Sequence, residues 1–130
     1  MEILTFARLS ILLAVLERRA NVRISNHNVF LNMAGGLRIF EPAVDLAVCC
    51  SIASSFVDKT AKSGSVLIGE VGLGGEIRSV GSLEKRIQEA EKLGFKNVVV
   101  PQSNLKSLKI KYKINLIPVS VLSEALEVVI

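Results

Sequence analysis

Gly69-Glu70-Val71-Gly72-Leu73-Gly74-Gly75-Glu76-Ile77-Arg78-Ser79-Val80-Gly81-Ser82-Leu83-Glu84-Lys85-Arg86 joins three backbone tasks end to end. Val66, Leu67 and Ile68 feed an apolar extended run into it, and Gly72, Gly74 and Gly75 offer the positive-φ freedom of a tight reversal. Ile77 and Val80 resume an extended run. Ser82 stands where a side-chain oxygen can cap a helix opening at Leu83. The segment thus predicts a hairpin, Val66–Val71 against Glu76–Val80, running straight into a helix. So tight a junction holds its side chains firmly, which makes Arg78, Glu84, Lys85 and Arg86 candidates for function.

Working outward, apolar residues recur at helical spacing at Leu83, Ile87 and Ala90, and Gly94 ends that helix. Asn97–Pro101 is a buried strand stopped by proline, and Ile114–Ile117 is another. A last helix begins at Ser120, with Leu122, Ala125, Leu126 and Val129 on one side. Upstream, Ala7–Arg19 reads as a helix whose final cations suit its C-terminus. Ile11–Leu16 is apolar nearly all round, so neighbours are expected on every side. Asn21–Asn28 is turn material, Val29–Ala34 a strand, and Gly35-Gly36 a bend before Leu37-Arg38-Ile39. Pro42 opens a helix of small side chains, with Glu41 and Asp45 favourably placed at its positive end. The predicted order is α-β-β-α-β-β-α-β-β-α, an α+β or mixed α/β fold.

The chain has 130 residues, enough for one domain with a single core. Half of them are hydrophobic and the mean hydropathy is +0.48, with no Trp and one Tyr. An aliphatic excess of this size points to a membrane segment or to faces kept for other subunits. Arg8 interrupts the first apolar run and Asp45 the second, so neither reaches the ~20 residues of a span. No signal peptide is visible after Met1, and a cytoplasmic, self-associating protein is expected. The net charge of +4 leans only mildly towards polyanions. Cys49 and Cys50 are neighbours on a helix, unsuited to a zinc clamp or a mutual disulfide, and are expected as buried thiols. His27, the single histidine, lies between asparagines in a turn and is expected at the surface without a metal.

The glycine-rich turn leads to Glu76 and not to a Gly-Lys-Ser/Thr helix start, so it is no phosphate-binding loop, and no cofactor is expected. A Ser-His-Asp triad lacks a well-placed histidine, whereas a Ser-Lys dyad through Ser51 or Ser54 remains conceivable. Arg38 and Arg78 sit on glycine-tightened elements and offer forked donors to phosphate. Lys109, Lys111 and Lys113 alternate with Ile110 and Tyr112, which puts three cations on one face of an extended segment. They serve there as a protected strand edge or as a polyanion contact.

Val29–Ile39 with its Gly35-Gly36, then Glu41–Ala47, then Gly69–Leu73 through Ile77-Arg78, and Leu93–Lys96 with Val99–Pro101 together resemble the C-terminal domain of the RadA (Sms) family of bacterial DNA repair proteins. The resemblance covers nearly the whole chain from about Arg8. It implies a fold like the proteolytic domain of Lon, with ribosomal protein S5 domain 2-like architecture. Lon keeps a catalytic serine in Gly-Pro-Ser-Ala-Gly and a catalytic lysine in Gly-Gly-Leu-Lys. These motifs fall on Glu41–Asp45 and Gly81–Glu84, which places Ala43 at the serine position and Glu84 at the lysine position. The resemblance therefore implies an inactive peptidase fold, since a methyl group cannot attack a carbonyl. The family's zinc finger and RecA-like ATPase domain have no counterpart in these residues. Ring assembly, a homo-hexamer above all, is further implied, with single-stranded or branched DNA held through Arg38, Arg78, Lys85 and Arg86. A surviving Ser-Lys peptidase and a purely structural oligomerisation domain are the competing expectations.

Overall fold

The computed structural model describes residues 2–29, 41–109 and 111–130, with side chains from residue 7 onward. Helix α1 spans Glu2–Arg19, and a single 3-10 turn, Pro42–Val44, leads into α2, Asp45–Phe56. Strand β1 is Ser65–Leu67, β2 Glu70–Val71 and β3 Ile77–Arg78, followed by α3, Leu83–Lys92. Strand β4 is Asn97–Pro101, a 3-10 helix covers Gln102–Ser107, and β5, Asn115–Val119, precedes α4, Leu122–Val129. The expected strand at Val29–Ala34 beyond Val29, the Gly35-Gly36 bend, Leu37–Ile39 and Arg38 lie outside the described residues.

The fold is mixed α/β. Strands β1, β4 and β5 form a parallel sheet in the order β1-β4-β5. Alternate strand residues then face opposite sides. Val99, Val119 and Ile117 face a core shared with α1, α2 and α4, whereas Val98, Val100 and Leu116 face a smaller core under α3. Leu16, Leu46 and Leu122 centre the first core and Ile87 the second, each fully buried. The small side chains of α2 let it pack between α1, α4 and the strands, and Cys49 and Cys50 are free thiols buried in that layer.

Several local expectations are corrected. Val66–Val71 is not one hairpin strand. Its first half pairs in parallel with β4, and only Glu70-Val71 turns back against Ile77-Arg78. Beyond β3 the ladder continues through a bridge from Glu76 to Val121, with Ile77 N–H donating to Ser120 O at 2.8 Å. Of the three turn glycines only Gly75 has positive φ, +82°, and its position also abuts Arg19: an added Cβ would sit 2.9 Å from the Arg19 Cβ. Gly72 serves instead to leave room for the Glu76 carboxylate. Ser82 does occupy the residue before α3, but in the left-handed region (φ 57°) and with no hydroxyl cap. Ile11 is exposed, so α1 buries one face through Leu12, Val15 and Leu16 and is not surrounded. Lys109, Lys111 and Lys113 lie in irregular backbone ahead of β5, not in a strand.

Gly94 terminates α3 as expected. At φ +87° it allows Gly94 N–H to reach Glu91 O and Phe95 N–H to reach Ala90 O, the paired bonds of a Schellman end. Among the described residues no helix is long and apolar enough to cross a membrane.

Burial pushes the Cys49 thiol up, helped by its neighbour Cys50, and pushes Cys50 up to about 12 from 9.0. A thiol whose pKa is raised by folding stabilises the native state below its unfolded pKa, and that contribution is lost as pH rises. Urea unfolding is therefore expected to show stability falling from about pH 9 upward. Thiol-specific reagents are expected to label neither cysteine in native protein at pH 8, and both after unfolding. Fast native labelling would contradict this burial.

Candidate functional site

The start of α2 is stitched to the β1–β2 junction. Gly69 N–H donates to Ala43 O at 2.9 Å, and Leu46 N–H donates to Gly69 O at 3.0 Å. Glu41 accepts the Ala43 N–H through its side chain, so the turn before α2 carries its own cap. A side chain at Gly69 has no room, because its Cβ would lie 2.8 Å from Ile77 Cγ2. Ala43 is thus fixed, buried, on the α3 side of the sheet beside Ile68, Leu83 and Ile87.

On the other wall α3 begins after a segment held by Asn104. Its carboxamide accepts Val80 N–H at 2.8 Å and donates to Val80 O at 3.2 Å, pairing like a strand backbone. Ser79 and Ser103 hydroxyls, 2.6 Å apart, add a second tie. Arg86 then struts the two walls together, with Nε donating to Gly81 O at 2.9 Å and Nη2 to Glu41 Oε1 at 3.0 Å. A groove of about 570 Å³ runs between them, lined by Ala43, Val44, Val66, Leu67, Ile68, Lys85, Arg86, Glu89, Ala90, Leu93 and Phe95.

The two positions singled out by the resemblance have different surroundings. Ala43 lines the groove; Glu84 does not, and its Oε1 accepts the Lys109 N–H at 2.9 Å, tethering the loop ahead of β5. The neighbouring Tyr112 hydroxyl is buried without a partner among the described residues, and its pKa is raised by burial and then by Glu84 and Glu91. The next residue, Lys85, is the one that reaches the groove. No hydroxyl or thiol belongs to the described lining, and residues 30–40 contain no Ser, Thr or Cys. The groove is largely apolar with Lys85, Arg86 and Glu89 on its α3 wall, and its described lining offers neither a hydroxyl nor a thiol nucleophile.

The basic candidates are unequal. Arg78 is exposed yet engaged: Nη2 and Nε meet Glu76 Oε2 at 3.1 and 3.3 Å, and Nη1 lies 3.9 Å from Glu70 Oε1. Glu76 in turn is held below the usual carboxylate range by its own backbone N–H, by Arg78 and by Gly74 N–H. Arg86 is spent on Glu41. Lys85 has no ion-pair partner among the described residues, and Arg38 lies outside them. The structure therefore brings Lys85 and Arg86 together with Ala43, and leaves Arg78 apart with its two carboxylates.

One arrangement escaped the sequence reading. Asp45, expected as a dipole partner at the start of α2, is buried and accepts from Arg8 Nε at 3.1 Å, from Arg8 Nη2 and from Val71 N–H at 3.0 Å. Arg8 Nη2 also donates to Val71 O at 3.3 Å, so one ion pair binds α1, α2 and β2. The Asp45 carboxylate raises the Arg8 pKa further. A buried acid in an apolar helix was the available signal; its partner, 37 residues away, was not.

Residues 7–104 match the family described as subunit ChlI of Mg-chelatase. The chain is 46% identical over 121 residues to the DNA repair protein RadA of Halalkalibacterium halodurans, covering 93% of this chain and 26% of that protein. It is 44% identical over 122 residues to RadA of Listeria monocytogenes (94% and 27%) and 45% identical over 119 residues to RadA of Bacillus subtilis (92% and 26%). The chain thus spans about a quarter of the length of the curated relatives it matches. It belongs to the ChlI-type family, as the domain of that type carried by bacterial RadA proteins.

Proposed function

We propose that this domain is a non-catalytic member of the Lon-like proteolytic fold that serves a RadA-type DNA repair protein as an assembly and DNA-holding module. The observation that carries the reading is the groove beside Ala43. Where a peptidase needs a hydroxyl next to an amine, the groove presents a methyl group, and Glu84 is committed to the Lys109 N–H. The relatives are DNA repair proteins, and the exposed Leu73, Leu93, Phe95 and Val121 supply apolar surface for self-association into a ring. An ATPase domain elsewhere in the full-length protein would use the ring. No cofactor is needed by the module itself.

The dyad reading finds less support. Ser54 Oγ is engaged by the Lys59 carbonyl, and no hydrogen bond to a lysine is recorded for Ser51 among the described residues.

Phosphate contact is assigned first to Lys85, since Arg78 would have to exchange two carboxylates for a phosphate. Sedimentation of the chain with and without single-stranded DNA, at low and moderate salt, tests both halves. A hexamer that takes up DNA at low salt is expected. A monomer at all concentrations removes the assembly half; a hexamer indifferent to DNA leaves only a structural oligomerisation domain. Lys85→Ala is expected to lower the salt slope by about 0.7 for a single strand, one phosphate's share. An unchanged slope takes Lys85 out of the interface.

A further inference from the structure

A second cavity, of about 360 Å³, opens between the turn after α1 and the C-terminal half of α2. His27 N–H donates to Ile24 O at 3.0 Å and closes the turn. The imidazole and the Phe56 ring stand perpendicular to each other, with ring centroids 5.2 Å apart and planes at 86°. Ser51 and Ser55, four residues apart on α2, share one helix face and line the cavity with Asn28, over an apolar floor of Ile24 and Ile52. Among the described residues no hydrogen bond is recorded for the side chains of Asn28, Ser51 or Ser55. The cavity therefore combines a half-exposed aromatic ring, an apolar base and three unengaged polar side chains.

We propose that this cavity is a nucleobase site, taking one base of a DNA single strand against Phe56. The proposal rests on the DNA-holding reading above and adds a place and a chemistry to it. A base is planar and apolar on its faces, which suits Phe56, Ile24 and Ile52. Its edge mixes donors and acceptors, and so do two hydroxyls and a carboxamide. The volume admits a base with its sugar. A phosphate is the wrong guest: the cavity lies at the carbonyl end of α2, where partial negative charge accumulates, and Asp58 follows two residues on. The phosphates stay outside, where Arg23 and Lys59 are exposed on the flanking segments.

Anisotropy titrations of the full chain with a labelled oligothymidylate, and with an abasic strand of equal length and charge, test this. The intact strand is expected to bind about five- to a hundredfold more tightly, the worth of one stacked base. Phe56→Ala is expected to remove that preference without changing the salt slope, and Ser55→Ala, at an exposed helical position, to reduce it. The single histidine gives a separate readout, its imidazole proton resonances shifting with the intact strand and not with the abasic one. Equal affinity for the two strands, or indifference to Phe56→Ala, overturns the site while leaving phosphate-mediated DNA binding intact. If neither strand binds, the DNA reading fails. Free thymidine then decides the pocket alone: a shifted His27 resonance upholds a nucleobase site, and an unshifted one overturns it.

Discussion

Arg8→Ala is expected to destabilise the domain by about 3 kcal/mol, the low end of the loss when one member of a buried ion pair is removed, because the guanidinium is partly solvated. The reason lies in which partner stays behind. The Asp45 side chain is 3% exposed, whereas that of Arg8 is 39% exposed. Without Arg8, the carboxylate is left in the interior with Val71 N–H as its remaining recorded donor. Asp45→Ala strands no charge, because a half-exposed guanidinium can turn to water, and leaves only the neutral Val71 N–H without its acceptor. That substitution is expected to cost about 1.5–3 kcal/mol, the worth of hydrogen bonds to a charged group. The double substitution should fall short of the sum, since both singles break the same contact. Urea unfolding of the three variants checks the order. A larger loss for Asp45→Ala than for Arg8→Ala would show that the aspartate is not the desolvated partner.

Ile87→Ala carries the second large effect, about 2–5 kcal/mol. Helix α3 is polar apart from Leu83, Ile87 and Ala90, and Ile87 is its one fully buried large side chain on this face of the sheet. Truncation leaves a void against Val98 and Val100 that a short helix, pinned by Arg86 at one end and the Gly94 turn at the other, closes poorly. Against a total stability of about 5–15 kcal/mol, the urea midpoint should drop by more than about 1 M. A shift of a few tenths of 1 M would mean that α3 is not anchored through this residue. The adjoining groove would then have a movable wall.

The parts of this fold legible in the sequence are those fixed by local chemistry. Gly94 ends α3 because only a positive φ lets the last amides fold back, and that need shows in a single letter followed by Phe95. Leu83, Ile87 and Ala90 show α3's buried face by spacing alone. What stayed illegible depends on residues far along the chain. Val66–Val71 reads as one strand, but β4 claims its first half and β3 its second, and nothing local marks the division at Ile68-Gly69. Ser82 has the right type and position for a cap, yet the chain enters α3 through the left-handed region and its hydroxyl makes no cap bond.

The site divides in the same way. That position 43 carries a methyl group and no hydroxyl is a matter of residue type and shows at once. That Glu84 would hold the Lys109 amide while Lys85 faced the groove depends on where the chain returns after β4. The carboxylates around Arg78 were each visible, one two residues away and one across the hairpin, but their convergence needed the register of β2 against β3.

The central claim of the proposal, that this domain has no working serine nucleophile, is tested most directly by intact-mass measurement of the native chain after treatment with an excess of a serine-directed fluorophosphonate. The account predicts an unmodified mass. A single stoichiometric adduct, abolished when the protein is first unfolded and mapped to Ser51 or any other hydroxyl, would contradict it.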